Sequence, residues 1–431
     1  MANKQRQIED YEKLFELTTL VAGNFSLQEV LDKLAEAAVM IAGVKACSIR
    51  LLDEDAGDLK MRSTYGLSEE YRNKGVVSKD DPVIKAAFAG QAVVLDDMRA
   101  DDRVKYKEAI VKEGLVSQLT VAMRFRRKAI GVIRLYSPKP KHFTKEDINL
   151  ARSVASQCAV AITNARLYTS AIEGTRIAEQ MRLAGIIQRR MIPKKAPLIA
   201  GVDVAATYIP CFDVGGDFYD FLRVNETSFA VAIADVIGKG MPAAIMMSMF
   251  RGAVRAYANT EGGSGAISEM INRLNKMACT ECSDGEFITL FYAIIDVRDM
   301  KVTYCNGGHE PTLLIRGRII KELNKGGLVL GVEKDAEYQI DTVDLKDGDS
   351  MVLYTDGLID AVNFEGDIWG RESMLKVISE HNAGSADQMI KNILGYRRRF
   401  VGLARQVDDT SIVAVKVDRR AEPNFIRQEN Y

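Results

Sequence analysis

The first long helix is marked by apolar residues that recur every three or four positions. In the segment NFSLQEVLDKLAEAAVMIAG these positions are Val30, Leu31, Leu34, Ala38 and Ile41. Ser26 and Glu29 have the spacing of a capping box, and Gly43 supplies a residue type that commonly ends a helix. The pattern therefore predicts a helix that begins after Ser26 and ends before Gly43. A shorter helical stretch is predicted from Tyr11 to Leu20.

Strand-like segments follow in two pairs. The segments ACSIRLLDED and DLKMRSTYGL meet at an acidic turn that contains Gly57, and SQLTVAMRFRRKAIGVIRLYS folds back near Lys128. A second helix begins where Thr144 and Asp147 again have capping-box spacing. The order of helix, strands, polar middle segment, strands and helix describes an α+β domain that ends near residue 165.

Residues 10–168 resemble a GAF domain. The resemblance rests on the segments SIRLLDEDAGDLKMRSTYGLSEEY and GVIRLYSPKPKHFTKEDINLARSVASQCAVAITNARLY, the second of which contains the closing helix. GAF domains are small-molecule sensors and dimerisation modules. The resemblance therefore implies regulation by an unknown small-molecule or protein input and a homodimeric chain, but it names no ligand.

An unbroken helical pattern connects this domain to the rest of the chain. It runs from Asn164 to Met191, and we interpret residues 169–194 as a signalling helix. Its heptad seam is dominated by small residues and comprises Leu167, Ala171, Gly174, Ala178, Met181, Gly185, Gln188 and Ile192. A seam of small residues slides or rotates at low cost, which would suit transmission between domains. A plain connecting helix fits the pattern equally well.

Beyond residue 200, aspartates stand at the ends of short apolar runs. Asp235 breaks the run SFAVAIADVIGKG, and Asp356 ends the run DSMVLYTDG. Asp217 precedes FYDFLRV, whereas Asp408 and Asp409 precede TSIVAVKV. In an antiparallel sheet the end of one strand lies beside the start of its neighbour, so these acids are expected to meet on one edge. Clustered carboxylates repel one another unless a cation neutralises them, and hard oxygen ligands suit Mg²⁺ or Mn²⁺.

The order of the segments in this half of the chain matches a family, although a single Asp-Gly pair is more often a surface turn. The segments DVGGDFYDF, ADVIGKGMPAAIMMS, ITLFYAIID, YCNGGHEPTLLI, LVLGV, MVLYTDGLIDAVN and DDTSIVAVK resemble the metal-dependent serine/threonine protein phosphatases of the bacterial sporulation stage II E type. The resemblance covers residues 195–418. It implies an α+β domain built on a two-layered β-sandwich flanked by helices, with two Mg²⁺ or Mn²⁺ ions at one edge.

The resemblance also assigns the metal ligands by motif. Asp235 would bridge the two ions. Asp217 and the backbone carbonyl of Val236 would bind one of them, and the other would be held by Asp356 and Asp408. The implied activity is hydrolysis of phosphoserine or phosphothreonine on a signalling partner, an anti-sigma-factor antagonist, by a water that the metals activate.

Three neighbouring aspartates have less defined roles. Asp409 is the alternative to Asp408 as a ligand. Asp213 and Asp220 are expected to orient the DVGGDFYDF turn or to face solvent.

Lys239 and His309 are weaker candidates for handling phosphate or protons. Lys239 lies close to Asp235 in the sequence and would either bind phosphate or remain solvated. His309 is the only histidine between residues 143 and 380, and such a residue is more often structural than a proton donor. In the helix MPAAIMMSMFRGAVRAYA the face expected to pack on the sheet comprises Ile245, Met249, Ala253 and Ala256.

Composition narrows the classes of partner. With 58 basic and 59 acidic residues the formal charge is -1, so nucleic acid is not expected as a partner. No apolar run reaches the ~20 residues of a membrane helix, and no apolar signal segment is apparent, which predicts a cytoplasmic protein without a membrane span. Six cysteines are too few for a disulfide framework. The polar residues 419–431 are expected to form a frayed tail.

Two other functions compete with that of a phosphatase. The stretch GGDFYD is similar to the GGDEF turn of nucleotide cyclases, but Phe218 replaces the glutamate and the later TDG and DDTS segments have no place in that scheme. The other alternative is a non-catalytic sensor and scaffold. The presence of all four acids argues against it.

Overall fold

The computed structural model describes residues 26–140, 143–258 and 264–418. The chain divides into two compact units, Met1–Thr175 and Arg176–Tyr431. The predicted helical stretch near the N-terminus and the predicted tail lie outside the described residues. Within the described ranges, no helix combines the length and the apolar character needed to cross a lipid bilayer.

Unit 1 is an α+β fold built on one antiparallel sheet. Its elements are α1 (Leu27–Ala42), β1 (Ala46–Asp53), β2 (Asp58–Tyr65), α2 (Glu69–Arg72), α3 (Pro82–Phe88), β3 (Val93–Leu95), α4 (Lys107–Glu113), β4 (Ser117–Phe125), β5 (Lys128–Ser137) and the start of α5 (Lys145–Met191). The strand order is β2-β1-β5-β4-β3. Both predicted hairpins are confirmed, because β1 pairs with β2 and β4 pairs with β5. The predicted unbroken helix is also confirmed by α5.

The two faces of this sheet are covered differently. Successive side chains of a strand point to opposite faces, so alternate residues of β1, β4 and β5 form two separate sets. One set is apolar and packs with α1 and α5 in a cluster that includes Leu31, Leu34, Ile49, Leu119, Ile133, Leu135, Val154 and Ile162. The other set lies beneath the segment that joins β2 to β4, in a cluster that includes Leu67, Tyr71, Val83, Ile84, Ile110, Val132 and Tyr136.

Unit 2 contains eleven strands and four helices after α5 within the described residues. They are β6 (Val202–Ile209), β7 (Phe218–Arg223), β8 (Ser228–Val236), α6 (Met241–Ala258), α7 (Ser264–Glu281), β9 (Ile288–Asp296), β10 (Lys301–Gly307), β11 (Thr312–Arg316), β12 (Ile319–Leu323), β13 (Gly326–Gly327), β14 (Asp341–Asp344), β15 (Ser350–Tyr354), a short 3₁₀ helix (Asp356–Leu358), α8 (Gly370–Glu380), α9 (Ala386–Val401) and β16 (Thr410–Val417).

The strands of unit 2 form the predicted two-layered sandwich. One sheet has the order β13-β10-β9-β8-β7, with β14 paired to β10, and the other has the order β12-β11-β15-β16-β6. Alternation along β15 shows how the layers form. Met351 and Leu353 face the core shared with the first sheet, whereas Val352 and Tyr354 pack with α8 and α9.

Helix α6 buries a different face from the one that the sequence predicts. Ile245 was expected against the sheet but is 63% exposed. The buried residues are Ala243, Ala244, Met247, Phe250 and Val254. Apolar residues occupy more than one side of this helix, so their spacing alone does not identify the buried side.

A buried ion pair fixes α6 to strand β7. Arg255 Nε and Nη2 donate to the Asp220 carboxylate at 2.6 and 2.8 Å, and Arg251 Nη2 lies 2.9 Å from Asp220 Oδ2. The prediction that Asp220 orients the turn or faces solvent is wrong, because its side chain is fully buried. Asp213 does face solvent.

Replacing Asp220 by alanine is expected to destabilise unit 2 by about 3–5 kcal/mol, since it leaves the Arg251 guanidinium buried without a counter-charge. Urea unfolding followed by the fluorescence of Trp369, the single tryptophan of the chain, measures the change. The matched control is Glu269→Ala, which breaks the exposed ion pair with Arg273 and should cost under ~0.5 kcal/mol. Equal midpoints for the two variants would contradict this role of Asp220.

Candidate metal centre

The candidate ligands come from both sheets of the sandwich. Asp217 precedes β7 and Asp235 lies near the end of β8, which are antiparallel neighbours in the first sheet. Asp356 follows β15 and Asp408 precedes β16, which are antiparallel neighbours in the second. The expectation of a single sheet edge is therefore wrong. Each pair forms by the predicted rule, and the stacking of the two sheets brings the pairs together.

One hydrogen bond connects the two sheets at the site. Thr355 Oγ1, directly after β15, donates to Asp217 Oδ2 at 2.6 Å. The same hydroxyl oxygen accepts from the backbone N–H of Ser411 in β16 at 2.9 Å. Thr355 therefore orients the Asp217 carboxylate from the opposite layer.

The carboxylates of the site lie close enough together to repel one another, and their pKa values are raised. Asp217 is only 2% exposed, and burial and the nearby charge of Asp235 raise its pKa well above the ordinary value. Burial and Asp356 raise the pKa of Asp235 to about 7. Burial and Asp408 raise the pKa of Asp356 to about 6. Because the causes are desolvation and like charge, a bound cation would oppose them.

Asp408 and Asp409 have different surroundings. The buried Asp409 carboxylate accepts hydrogen bonds from the backbone N–H groups of Cys211 at 2.7 Å and Gly216 at 2.8 Å. The Asp408 side chain is 34% exposed and pairs with Lys239 Nζ at 2.7 Å. Asp409 is thus committed to holding the loop before β7, and this difference favours Asp408 as the ligand.

The backbone of Gly216 passes very close to the end of β8. A Cβ atom at this position would lie 2.6 Å from the carbonyl oxygen of Val236 and 3.6 Å from Asp235 Oδ1. No real side chain could approach a carbonyl so closely, so glycine is required here for steric reasons. The Val236 carbonyl therefore lies beside the Asp217 loop, where the resemblance places a ligand.

The candidate ligands are oxygen atoms, which suit a hard divalent cation, but the protein side chains do not surround a metal ion completely. In the ranges that the structure describes, no three His, Cys, Asp or Glu side chains are grouped closely enough to hold a metal ion by themselves. Mg²⁺ commonly keeps several waters and takes only one or two carboxylates from the protein. The Asp217 and Asp235 pair, with the carbonyl of Val236, matches such a partial set.

Lys239 and His309 have different surroundings in the structure. Lys239 is half-exposed beside Asp408 and also donates to the Val407 carbonyl. His309 is buried, its Nδ1 lies 2.7 Å from Thr289 Oγ1, and burial lowers its pKa to about 4. A buried imidazole that is neutral at pH 7 is poorly suited to donate a proton, so the geometry favours a structural role.

Gln188 is a site residue that the sequence reasoning missed. We placed it in the heptad seam, but its side chain is buried against the loop before β7. Gln188 Nε2 donates to the Gly215 carbonyl at 2.7 Å, and Gln188 Oε1 accepts from the Gly215 N–H at 3.0 Å. Arg189 Nη1 also donates to the Asp213 carbonyl at 2.9 Å. One glutamine in a polar helix gives no signal of such a contact.

Comparison with known proteins finds a similar family for each unit. Residues 26–163 match the GAF domain, and residues 225–418 match Stage II sporulation protein E (SpoIIE). The phosphoserine phosphatase RsbU of Bacillus subtilis is 33% identical over 219 residues, which are 50% of this chain and 64% of RsbU. The phosphoserine phosphatase RsbP of the same organism is 23% identical over 184 residues, which are 42% of this chain and 45% of RsbP. This chain thus spans less than two thirds of either relative.

Among solved structures, the SiaA-PP2C domain of Pseudomonas aeruginosa is 20% identical, with a TM-score of 0.49, and the match covers 57% of this chain and 99% of that domain. The sequence matches thus make the chain similar to a GAF domain in unit 1 and to SpoIIE in unit 2. Within unit 2, residues 225–418 are similar to the SpoIIE family. The predicted resemblances and the predicted fold class are therefore confirmed.

Replacing Gly216 by alanine is expected to weaken Mn²⁺ binding, because the new methyl group must displace the Val236 carbonyl and the Asp217 loop. Outer groups that orient metal ligands typically contribute about 10–100-fold in affinity or activity. Isothermal titration calorimetry with MnCl₂ measures the loss. Gly252→Ala is the control, since a Cβ there meets no atom within 4 Å. Unchanged affinity in Gly216→Ala would show that this close approach does not shape the site.

Proposed function

We propose that this chain is a Mg²⁺- or Mn²⁺-dependent protein phosphatase that hydrolyses phosphoserine or phosphothreonine on a signalling partner. The observation that carries the proposal is the meeting of the buried Asp217 with the half-buried Asp235, whose charge adds to burial in raising the pKa of Asp217 well above the ordinary value. Two such groups resist ionising together in the absence of a cation. The relationship to RsbU, a phosphoserine phosphatase, supports the same class of substrate.

In the proposed site, Asp217, Asp235 and the carbonyl of Val236 would hold the ions from the first sheet, while Asp356 and Asp408 would hold them from the second. Bound divalent ions would activate water for attack at phosphorus and offset the charge that develops on the phosphoryl oxygens.

The other residues of the site orient these ligands. Thr355 fixes the rotamer of Asp217 through its hydroxyl group. Asp409 and Gln188 hold the loop before β7 through its backbone. Lys239, beside Asp408 and half-exposed, is the cation best placed to attract a phosphorylated side chain from solvent.

Regulation by the GAF domain and the identity of the partner are also parts of this proposal. The chain runs from the GAF domain to the Asp217 loop through α5, whose last turns bear Gln188 and Arg189. An input at the GAF domain would act by changing how these residues hold the loop. We propose a phosphorylated anti-sigma-factor antagonist as the substrate, in line with the family resemblance.

Replacing Asp356 by alanine is expected to reduce Mn²⁺-dependent hydrolysis of p-nitrophenyl phosphate and of a phosphoserine peptide. The loss should reach roughly 10²–10³-fold, as when another group that stabilises transition-state charge is removed. Initial rates at saturating MnCl₂ give the measurement.

Asp387→Ala serves as the matched control, because Asp387 forms an exposed ion pair with Lys391 on α9. It should retain full activity. EDTA should abolish the activity of the wild-type chain, and MnCl₂ should restore it. Full activity in EDTA, or in Asp356→Ala, would exclude a metal-dependent phosphatase at this site.

Phosphoprotein profiling of cells that produce either the wild-type chain or Asp356→Ala tests the partner. The proposal predicts that a small set of phosphoserine or phosphothreonine sites disappears only with the wild-type chain, and that an anti-sigma-factor antagonist is among them. Loss of phosphate only from other proteins would contradict the proposed partner but leave the phosphatase activity intact.

A further inference from the structure

The sheet of unit 1 has a row of buried polar side chains on the face opposite α1 and α5. The register places Ser48 opposite Arg134, Arg50 opposite Val132 and Thr120 opposite Arg134 on neighbouring strands. Alternation puts Ser48, Arg50, Gln118, Thr120, Arg134 and Tyr136 on this one face. All six are buried beneath the segment between β2 and β4. A row of this kind is unusual for a sheet face that is otherwise packed with apolar residues.

Two guanidinium groups in this row are not fully satisfied. Arg50 is 3% exposed and Arg134 is 8% exposed. Arg50 Nη1 donates to the Leu59 carbonyl at 3.1 Å, but its Nε and Nη2 lack hydrogen-bond partners, as does Nε of Arg134. Buried donors without acceptors are costly, and the cost is greater for charged groups.

A third cation faces the same place. Lys74, in the segment that covers the row, has its Nζ 3.3 Å from the centre of the Tyr71 ring. Burial and the charges of Arg134 and Arg50 lower the pKa of Lys74 to about 6. The acid that acts on Lys74 from a distance is Glu113, whose carboxylate is already used by the backbone and hydroxyl of Ser68.

These cations have no acidic partner in the part of the chain that the structure describes. No Asp or Glu side chain there lies within ion-pair distance of Arg50, Arg134 or Lys74. The partly buried Arg251 differs from them, since it is paired with the carboxylate of Asp220. The two guanidinium charges and the Lys74 amine, whose pKa they lower, would be stabilised by a negative charge that none of the described acids supplies.

We propose that unit 1 binds a small oxyanion, either a carboxylate or a phosphate group of a small molecule, between Arg50, Arg134 and Lys74. The forked guanidinium groups would donate paired N–H bonds to its oxygen atoms, and the ammonium group of Lys74 would close the site from the covering segment. Tyr71 and the apolar residues beneath that segment would surround the rest of the ligand. The site is distinct from the metal centre and does not depend on phosphatase activity.

The test is hydrogen–deuterium exchange of the full chain, without added divalent metal, in the presence of inorganic phosphate or of sodium succinate. At least one of these anions should slow amide exchange in β1, β5 and residues 71–77. The anion that slows exchange identifies the ligand group as phosphate or carboxylate. Arg134→Gln should weaken the effect about tenfold or more, because a charge-assisted hydrogen bond is lost.

Arg72→Gln is the matched control, since Arg72 is an exposed cation of the same covering segment. It should leave the effect unchanged. The proposal is overturned if neither anion slows exchange in these strands, or if Arg134→Gln and Arg72→Gln respond alike.

A stability measurement separates a ligand site from a structural arginine. Arg134→Met removes an unsatisfied buried charge, so it should raise the thermal unfolding midpoint of unit 1 in the absence of anions and abolish the rise caused by the anion that binds. A structural arginine would instead lower the midpoint when replaced. Both readouts can be repeated in the Asp356→Ala background, so their outcome does not depend on the proposed phosphatase activity.

Discussion

Repulsion between carboxylates that the fold holds side by side is the constraint on which unit 2 is built. The like charges of Asp217 and Asp235 favour their separation, and hydrogen bonds to the loop before β7 oppose it. The Asp409 carboxylate accepts a hydrogen bond from the Gly216 N–H, and Thr355 orients the carboxylate of Asp217. Gln188 bonds to both the carbonyl and the N–H of Gly215. The hydrogen bonds come from strands of the second sheet and from α5, so the loop keeps its position only in the assembled unit.

The sandwich makes this assembly possible because it places strand ends from two layers at one location. Period-2 alternation gives each strand of the second sheet one face for the first sheet and one face for α8 and α9. The positions of these strands are thereby fixed by burial on both sides. The acids at the ends of these strands are held in position for the same reason. This allows a polar site to exist where local propensity would only produce a loose turn.

The sequence was sufficient for features that depend on local spacing. Capping boxes, hairpins and acids at strand ends are all encoded within a few residues, and the structure contains them. Features that depend on the pairing of distant elements cannot be predicted from the sequence. The division of the four acids between two sheets, the burial of Asp220 by Arg251, and the docking of Gln188 on Gly215 each require knowledge of which elements are stacked. The buried face of α6 was misjudged because this helix is apolar on more than one side.

The two units present opposite forms of the same electrostatic problem. Unit 2 gathers negative charge around Asp235, and unit 1 gathers positive charge around Arg134, in each case with too few opposite charges among the residues that the structure describes. A ligand that neutralises either cluster binds the folded state in preference to the unfolded state, and so stabilises its unit according to its concentration and affinity. Coupling between them requires more than this. A ligand shifts an equilibrium only by its difference in affinity for the two states. An anion in unit 1 would therefore change the metal centre only if α5 held the loop before β7 differently in the bound and free states.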